Sequence, residues 1–132
     1  GMASGATKMS LAYAKDRKTF GKSIAEHQAI QLKLAEMSTR AAAARLLVEQ
    51  AALKYDLGER CDLEAGQAKY FASEAAVQNS LDGMRVFGGY SYSPEYEIER
   101  FYRDAPLLCI GEGTNEIQRI IIAKQMVARS GG

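Results

Sequence analysis

Apolar residues return at helical spacing through most of this chain, and no segment of useful length alternates apolar with polar as a half-buried strand would. The longest pattern joins Ile30, Leu34, Met37, Ala41, Ala44, Val48, Ala51 and Tyr55, at intervals of four and three residues in turn. That heptad-like stripe predicts a helix over about 26–57, roughly 48 Å long at 1.5 Å per residue, with a seam suited to antiparallel bundle packing. Leu32, Leu46, Leu47 and Leu53 lie off the stripe, so the helix is expected to be covered on two sides, within the domain or by another subunit. Gly58 marks its stop.

Met2, Ala6, Met9, Ala12 and Tyr13 predict a first helix over 3–17, interrupted by Gly21. Leu63, Tyr70, Val77 and Met84 recur every seven residues, broadened by Phe71, Ala75 and Ala76. They predict a third helix, from a cap at Asp62 to Gly88-Gly89. Pro94 at a first-turn position predicts a short helix over roughly 94–103. Ile117, Ile120, Ile121, Ala123 and Val127 predict a last one over about 114–129. The expected fold is all-α: an up-down four-helix bundle with an extra short helix, one domain over residues 1–132.

Composition fits that picture. Hydrophobic residues are 47% and charged residues 25% of the chain, as in a soluble domain with a real core, and its 21 alanines favour helix. The net charge of +1 argues against a nucleic-acid partner. Residues 1–60 carry ten Lys/Arg against six Asp/Glu, and the remainder seven against ten, which leaves room for one local phosphate site. Cys61 and Cys109, with no Cys/His cluster, make neither a disulfide framework nor a metal site and fit a reducing compartment. No apolar run is long enough for a membrane span and no signal-peptide pattern opens the chain, so the expected location is the cytoplasm or an organelle matrix.

Four stretches carry candidate chemistry. "GKS" at 21–23 is not a P-loop: Asp16 stands where that motif needs glycine, and a helix precedes it where a strand is needed. "DRKTFGKS" still gathers Arg17, Lys18, Thr19, Lys22 and Ser23 around a glycine turn. These residues fit a phosphate site, or cations placed against a helix C-terminus. Phe20 within that turn either covers something flat or plugs the core. His27 and Gln28 open the long helix; His27 reads best as a satisfied cap. Gly88-Gly89 ends a helix, and one glycine suffices for a cap. The second admits close approach of backbone to a ligand, with Arg85 nearby as an anion partner. Glu112 lies between Gly111 and Gly113. A helix-start carboxylate does not need that setting, whereas a base pressed against a flat ligand does. Thr114 or Asn115 can cap the last helix, with Gln118 at capping-box spacing from Asn115.

"YAKDRKTFGKSIAEHQAIQ", "GGYSYSPEYEIERFYRDA" and "IGEGTNEIQRIIIAKQ", in that order and spacing, resemble the C-terminal helical domain of the acyl-CoA dehydrogenase family. The resemblance covers essentially the whole chain. It implies a flavoprotein that introduces a double bond beside an acyl thioester carbonyl, with the family's N-terminal helical and middle β domains absent from this stretch. It implies Glu112 as the base that removes the α-proton and Gly113 as a substrate contact. It implies FAD contacts from Thr114, Asn115 and Glu116, from Arg17, Lys18 and Thr19 near the pyrophosphate, and from Phe20 and Gln28 toward the adenine, with His27 in that turn. Gly88, Gly89 and Arg85 complete the cofactor set. Acyl-CoA, an electron-transfer flavoprotein and further copies of the chain, as a dimer or tetramer, are the implied partners. Arg85 departs from the glutamine of many members, Ser91 from a usual glycine, and Gly111 from an aromatic residue in some. A non-catalytic helical assembly module and a related acyl-CoA oxidase are the rival readings.

Overall fold

In the computed structural model, which describes residues 1–131, α3 (Asp62–Phe87) is the central element. Gly132, last residue of the expected domain, lies outside the described residues. α1 (Met2–Asp16), α2 (Gln28–Asp56), α4 (Ile98–Ile110) and α5 (Asn115–Ser130) all pack on α3. Its small side chains are the reason: Gly66, Ala68, Ser73, Ala75, Ala76, Ser80 and Gly83 are buried along it and let neighbouring helices close in. The tightest approach is at Gly83, where a Cβ would stand 2.5 Å from Ile98 Cδ1 and 3.0 Å from Ser10 Oγ. At Gly66 a Cβ would stand 3.1 Å from Ile122 Cγ1, so this glycine seats α5. The fold is all-α as expected, four longer helices and the shorter α4.

Two packed layers meet at α3. Ala6, Met37, Phe87 and Ile98 form one core, with Met9, Tyr13, Tyr96 and Phe101 around it, and Ala14, Ile24 and Val86 form another beside it. A polar tie fixes the register of three helices. The side-chain amide of Asn79, fully buried on α3, donates to Met37 O on α2 at 2.8 Å and to Ala3 O and Thr7 Oγ1 on α1 at 3.2 and 3.1 Å. Its Oδ1 accepts from Arg40 Nη1 at 2.7 Å. Amide and carbonyl are thus both satisfied, as a buried polar group requires.

Three expectations need correction. The short helix does not start at Pro94: residues 94–97 form turns, and α4 runs Ile98–Ile110 straight through Pro106. Pro106 has no N–H to give the Tyr102 carbonyl, yet the packing of Ile98, Phe101 and Ala105 keeps the turn helical. The segment after α1 is not a bare turn. Lys18–Thr19 (β1) pairs antiparallel with Lys22–Ser23 (β2), Thr19 opposite Lys22, around Phe20 and Gly21. Both central residues have positive φ, 52° and 78°, as tight two-residue hairpins require. Of the two covered sides expected for α2, this copy of the chain covers one: Met37 and Ala44 are buried, whereas Leu32, Leu46, Val48, Leu53 and Tyr55 are exposed. Asp62 does not cap α3; Cys61 holds the cap position, without a side-chain bond, and Asp62 pairs with Arg60 Nε at 2.6 Å.

Candidate functional site

Six of the expected site residues line two clefts at different levels of α3: Arg17, Thr19, His27, Gly88 and Gly89 the first, and Glu112 the second. The first, about 580 Å³, lies where the end of α1, the hairpin, the start of α2 and the end of α3 meet. Arg17, Thr19, His27, Gly88 and Gly89 line it, over a floor of Tyr13, Ile24, Val86 and Phe87. Local structure places each of them. Arg17 N–H caps α1 through Tyr13 O at 2.9 Å, and its guanidinium sits 5.3 Å from the Tyr90 ring centre. Arg17 joins no ion pair among the described residues. Ser23 and Glu26 form a capping box that turns the chain from the hairpin into α2. His27 holds the N-cap position of α2 through its backbone only; its Nε2 shares a 3.0 Å hydrogen bond with Thr19 Oγ1, so the expected side-chain cap is absent. Tyr13 and Phe87 stack at 4.1 Å beneath. Burial pushes the Tyr13 phenol up from its ordinary value, against the pull of Arg17.

Gly88 ends α3 with φ of 62°, its N–H bonded to Met84 O. Neither Gly88 nor Gly89 has any atom within 4 Å of an added Cβ, so side chains there would project into open cleft. Ser91, the departure from glycine, is buried and donates from Oγ to Gly88 O at 2.7 Å, which fastens the turn.

Phe20 stands at the hairpin tip, 97% exposed and edge-on to His27 at 6.1 Å, so it plugs no core. Lys18 and Gln28 are exposed beside the cleft. Arg85 does not line it: its Nη1 donates to Asp82 Oδ1 at 3.1 Å. Asp82 also takes Arg40 Nη2 at 2.7 Å and Lys33 at 3.6 Å. Burial pushes the Asp82 carboxyl up, but the donors of Arg40 and Arg85 and the charges of Arg40 and Lys33 hold it below the usual carboxylate range.

The second cleft, about 590 Å³, holds Glu112. Leu107, Leu108 and Gly111 from the end of α4, Lys69, Ala72, Ser73 and Ala76 of α3, and Met2 of α1 line it. Glu112 has φ of 56°, in the left-handed region a bulky residue avoids, and Gly113 follows at 84°. Only Gly113 needs glycine for its backbone angle; a Cβ there would also stand 2.9 Å from Gln118 Nε2. Gly111 has φ of −68°, and its N–H closes α4 onto Leu107 O at 2.8 Å. The Glu112 carboxylate takes no hydrogen bond or ion pair among the described residues. Thr114, not Asn115, caps α5, accepting from Ile117 N–H at 3.4 Å, while Gln118 turns back toward the carbonyls of Glu112 and Gly113. The backbone N–H of Glu116 and the Thr114 hydroxyl hold the Glu116 carboxyl below its usual range. Asn115 is buried and engaged on every side by Lys69, Ser73 and Glu74, three residues that periodicity alone did not single out.

Ten residues separate Ala76 from Val86, about 15 Å of helix, so one copy of the chain does not bring Glu112 and the Arg17 cleft into one pocket. No cluster of potential metal ligands and no helix long and apolar enough to cross a membrane occurs among the described residues.

The family model described as "Acyl-CoA dehydrogenase, C-terminal domain" matches residues 1–127. An acyl-CoA dehydrogenase of Bacillus subtilis is 50% identical over 127 residues, which are 96% of this chain and 34% of that protein. A 3-(aryl)acrylate reductase of Clostridium sporogenes is 49% identical over the same shares. Butyryl-CoA dehydrogenase from Megasphaera elsdenii superimposes with a TM-score of 0.94 at 38% identity, over 96% of this chain and 33% of that one. A chain solved as an FAD complex of PigA does so with a TM-score of 0.91 at 32% identity, over 96% and 33%. The chain therefore spans about a third of the length of the proteins it matches.

Proposed function

This chain belongs to the acyl-CoA dehydrogenase family, as its C-terminal domain, and on that premise we propose that in the full-length protein Glu112 takes the α-proton of an acyl-CoA thioester during α,β-dehydrogenation. One observation carries the reading. Glu112 is an exposed carboxylate without a partner among the described residues, held in a left-handed conformation on the rim of an apolar cleft. Leucine and alanine walls suit an acyl chain, an unpaired carboxylate is free to accept a proton, and a strained residue of this kind belongs to a site that needs it there. Gly113 leaves the approach beside the base clear.

The donor set of the first cleft fits the diphosphate of FAD. Arg17 offers a guanidinium that joins no ion pair among the described residues, Thr19 and His27 offer polar hydrogens, and Gly88 and Gly89 leave backbone where side chains would obstruct. Lys18, Phe20 and Gln28 extend that surface, and Arg85 can join it by leaving Asp82. Thr114 and Glu116, at the start of α5, face a cofactor on the Glu112 side, and Asn115 offers only its backbone there. Bound FAD would supply a flat acceptor for the β-hydrogen. The names of the two relatives, dehydrogenase and reductase, describe that transfer in opposite directions, so the proposal is the reaction class.

Since the clefts are about 15 Å apart along α3, we take the Arg17 cleft to hold the cofactor of a second copy of the chain. The bare outer face of α2, with Leu46, Leu53 and Tyr55 exposed, supports such an assembly. An electron-transfer flavoprotein as electron partner rests on the resemblance. The test is anaerobic mixing of the FAD-loaded full-length protein with straight, branched and aryl-substituted acyl-CoA thioesters. Bleaching of the flavin absorbance by at least one of them, with formation of the 2-enoyl thioester, is expected. No bleaching by any of them contradicts the proposal.

A further inference from the structure

Cys109 lies three residues before Glu112 and Asn115 three residues after it, and the ammonium of Lys69 reaches both. Lys69 Nζ donates to Asn115 Oδ1 at 2.8 Å and, in a longer contact, to Cys109 O at 3.4 Å. One turn along α3, Ser73 Oγ lies 3.0 Å from the same Oδ1 and shares its one hydrogen between it and Tyr70 O, also at 3.0 Å, and Asn115 Nδ2 donates to Glu74 Oε1 at 2.8 Å. The base-bearing loop is therefore gripped at both ends by one short piece of α3. Charges match the helix ends they meet. Lys69 faces the carbonyls that end α4, and Glu74 is tied to the first residue of α5, where a negative charge suits the helix dipole.

Between those anchors the backbone is strained. Glu112 at φ of 56° persists only if its surroundings over-determine it, because a free loop would relax to an ordinary angle. Gly111 N–H is held by Leu107 O at 2.8 Å, but beyond it the loop's own restraints are weak: Gln118 Nε2 lies 3.5 Å from the Glu112 and Gly113 carbonyls. The strong bonds are those of Lys69, Ser73, Glu74 and Asn115. Lys69 lines the Glu112 cleft yet pairs with no carboxylate among the described residues, so its charge is committed to this clamp.

We propose that Lys69 is a positioning residue for the reaction, holding Glu112 in its left-handed conformation through Asn115 and the Cys109 carbonyl. The proposal rests on Glu112 being the base. It gives a half-buried lysine on the cleft wall, whose ammonium is bonded into the clamp, a role in the rate. Misplacing a reacting group by about 1 Å can cost roughly 100-fold.

The test uses the FAD-loaded full-length protein with Lys69→Met, which keeps the stem and removes the donors. The rate of flavin reduction at saturating acyl-CoA is expected to fall roughly 10- to 100-fold, with the Kd for acyl-CoA changed by less than about 3-fold. Hydrogen exchange at residues 111–114 is expected to quicken while that of α3 stays as it was. In a Glu112→Gln background, Lys69→Met is expected to add nothing further. Ser73→Ala, a milder loss from the same clamp, is expected to quicken loop exchange as well and serves if Lys69→Met does not fold. Unchanged reduction rate and loop exchange in either folded variant overturns the positioning role, as does a full additional loss on top of Glu112→Gln. If Glu112→Gln alone keeps its reduction rate, the base assignment fails, and the loop-exchange result still reports on the clamp by itself.

Discussion

Glu112 illustrates how much a single residue can be asked to hold. Its φ of 56° costs of order 1 kcal/mol or more relative to an ordinary angle, and glycine in the same place would avoid that cost. A carboxylate kept there against its own preference is what the proposed role as base requires. Arg17 makes the complementary case. Its guanidinium covers the Tyr90 ring but meets no carboxylate among the described residues, which leaves its donors available to an anion. Replacing Arg17 with Gln in the full-length protein should weaken FAD retention by roughly 10-fold, the loss of one charge-assisted contact. Equilibrium dialysis or fluorescence of released flavin checks this. Retention equal to the parent protein would remove Arg17 from the cofactor set. The motifs around both residues were legible because the chemistry lies in contiguous stretches. What lies across α3 was not: Lys69 and Ser73 act through Asn115, more than forty positions away, and no periodicity encodes such a contact.

At the scale of the elements, α5 docks on α3 through a glycine contact at one point and a charge cluster at another. Glu64, buried on α3, takes Lys54 Nζ of α2 at 2.7 Å and Arg129 Nη1 of α5 at 2.7 Å. The hydrogen bonds of Arg129 and then Lys54 lower its carboxyl from 4.5 to about 2, outweighing its burial. The sign follows from that depression. Below the unfolded value the unfolded chain binds more protons than the folded one, so the stabilisation is complete above about pH 4.5 and is lost as pH falls toward 2. Glu64→Gln should therefore cost roughly 1–3 kcal/mol at pH 7, and the gap between parent and variant melting curves should close on acidification through that window. A gap of constant size would show that the cluster is not the source. Element boundaries explain what the pattern misread. Pro94 resembled a helix start, but the chain there makes turns and the apolar run through Pro106 carries the helix. The hairpin at 18–23 is too short to show alternation. The Ser23–Glu26 capping box was present in the letters, with its spacing intact.

For the whole molecule, the distribution of apolar surface is the informative fact. The stripe along α2 predicted burial along its length, and the first half, through Met37 and Ala44, is covered. Its later members, Val48 and Tyr55, and the second face at Leu46 and Leu53 are exposed. Heptad spacing reports a surface that is covered somewhere; it does not say by which chain. The Arg17 and Glu112 clefts are likewise separate in one copy of the chain, as expected if the proposed site is completed by other parts of the full-length assembly. The all-α fold, the family and the candidate residues could be read from the letters, while the division of those residues between two clefts required the packing of α3.

Rapid-mixing flavin reduction in the full-length Glu112→Gln protein decides whether Glu112 is the proton-abstracting base. With FAD retained and acyl-CoA bound, the account predicts that reduction at saturating substrate falls by at least roughly 100-fold, the range for loss of a general base. Reduction at the parent rate, with cofactor and substrate still bound, would contradict it.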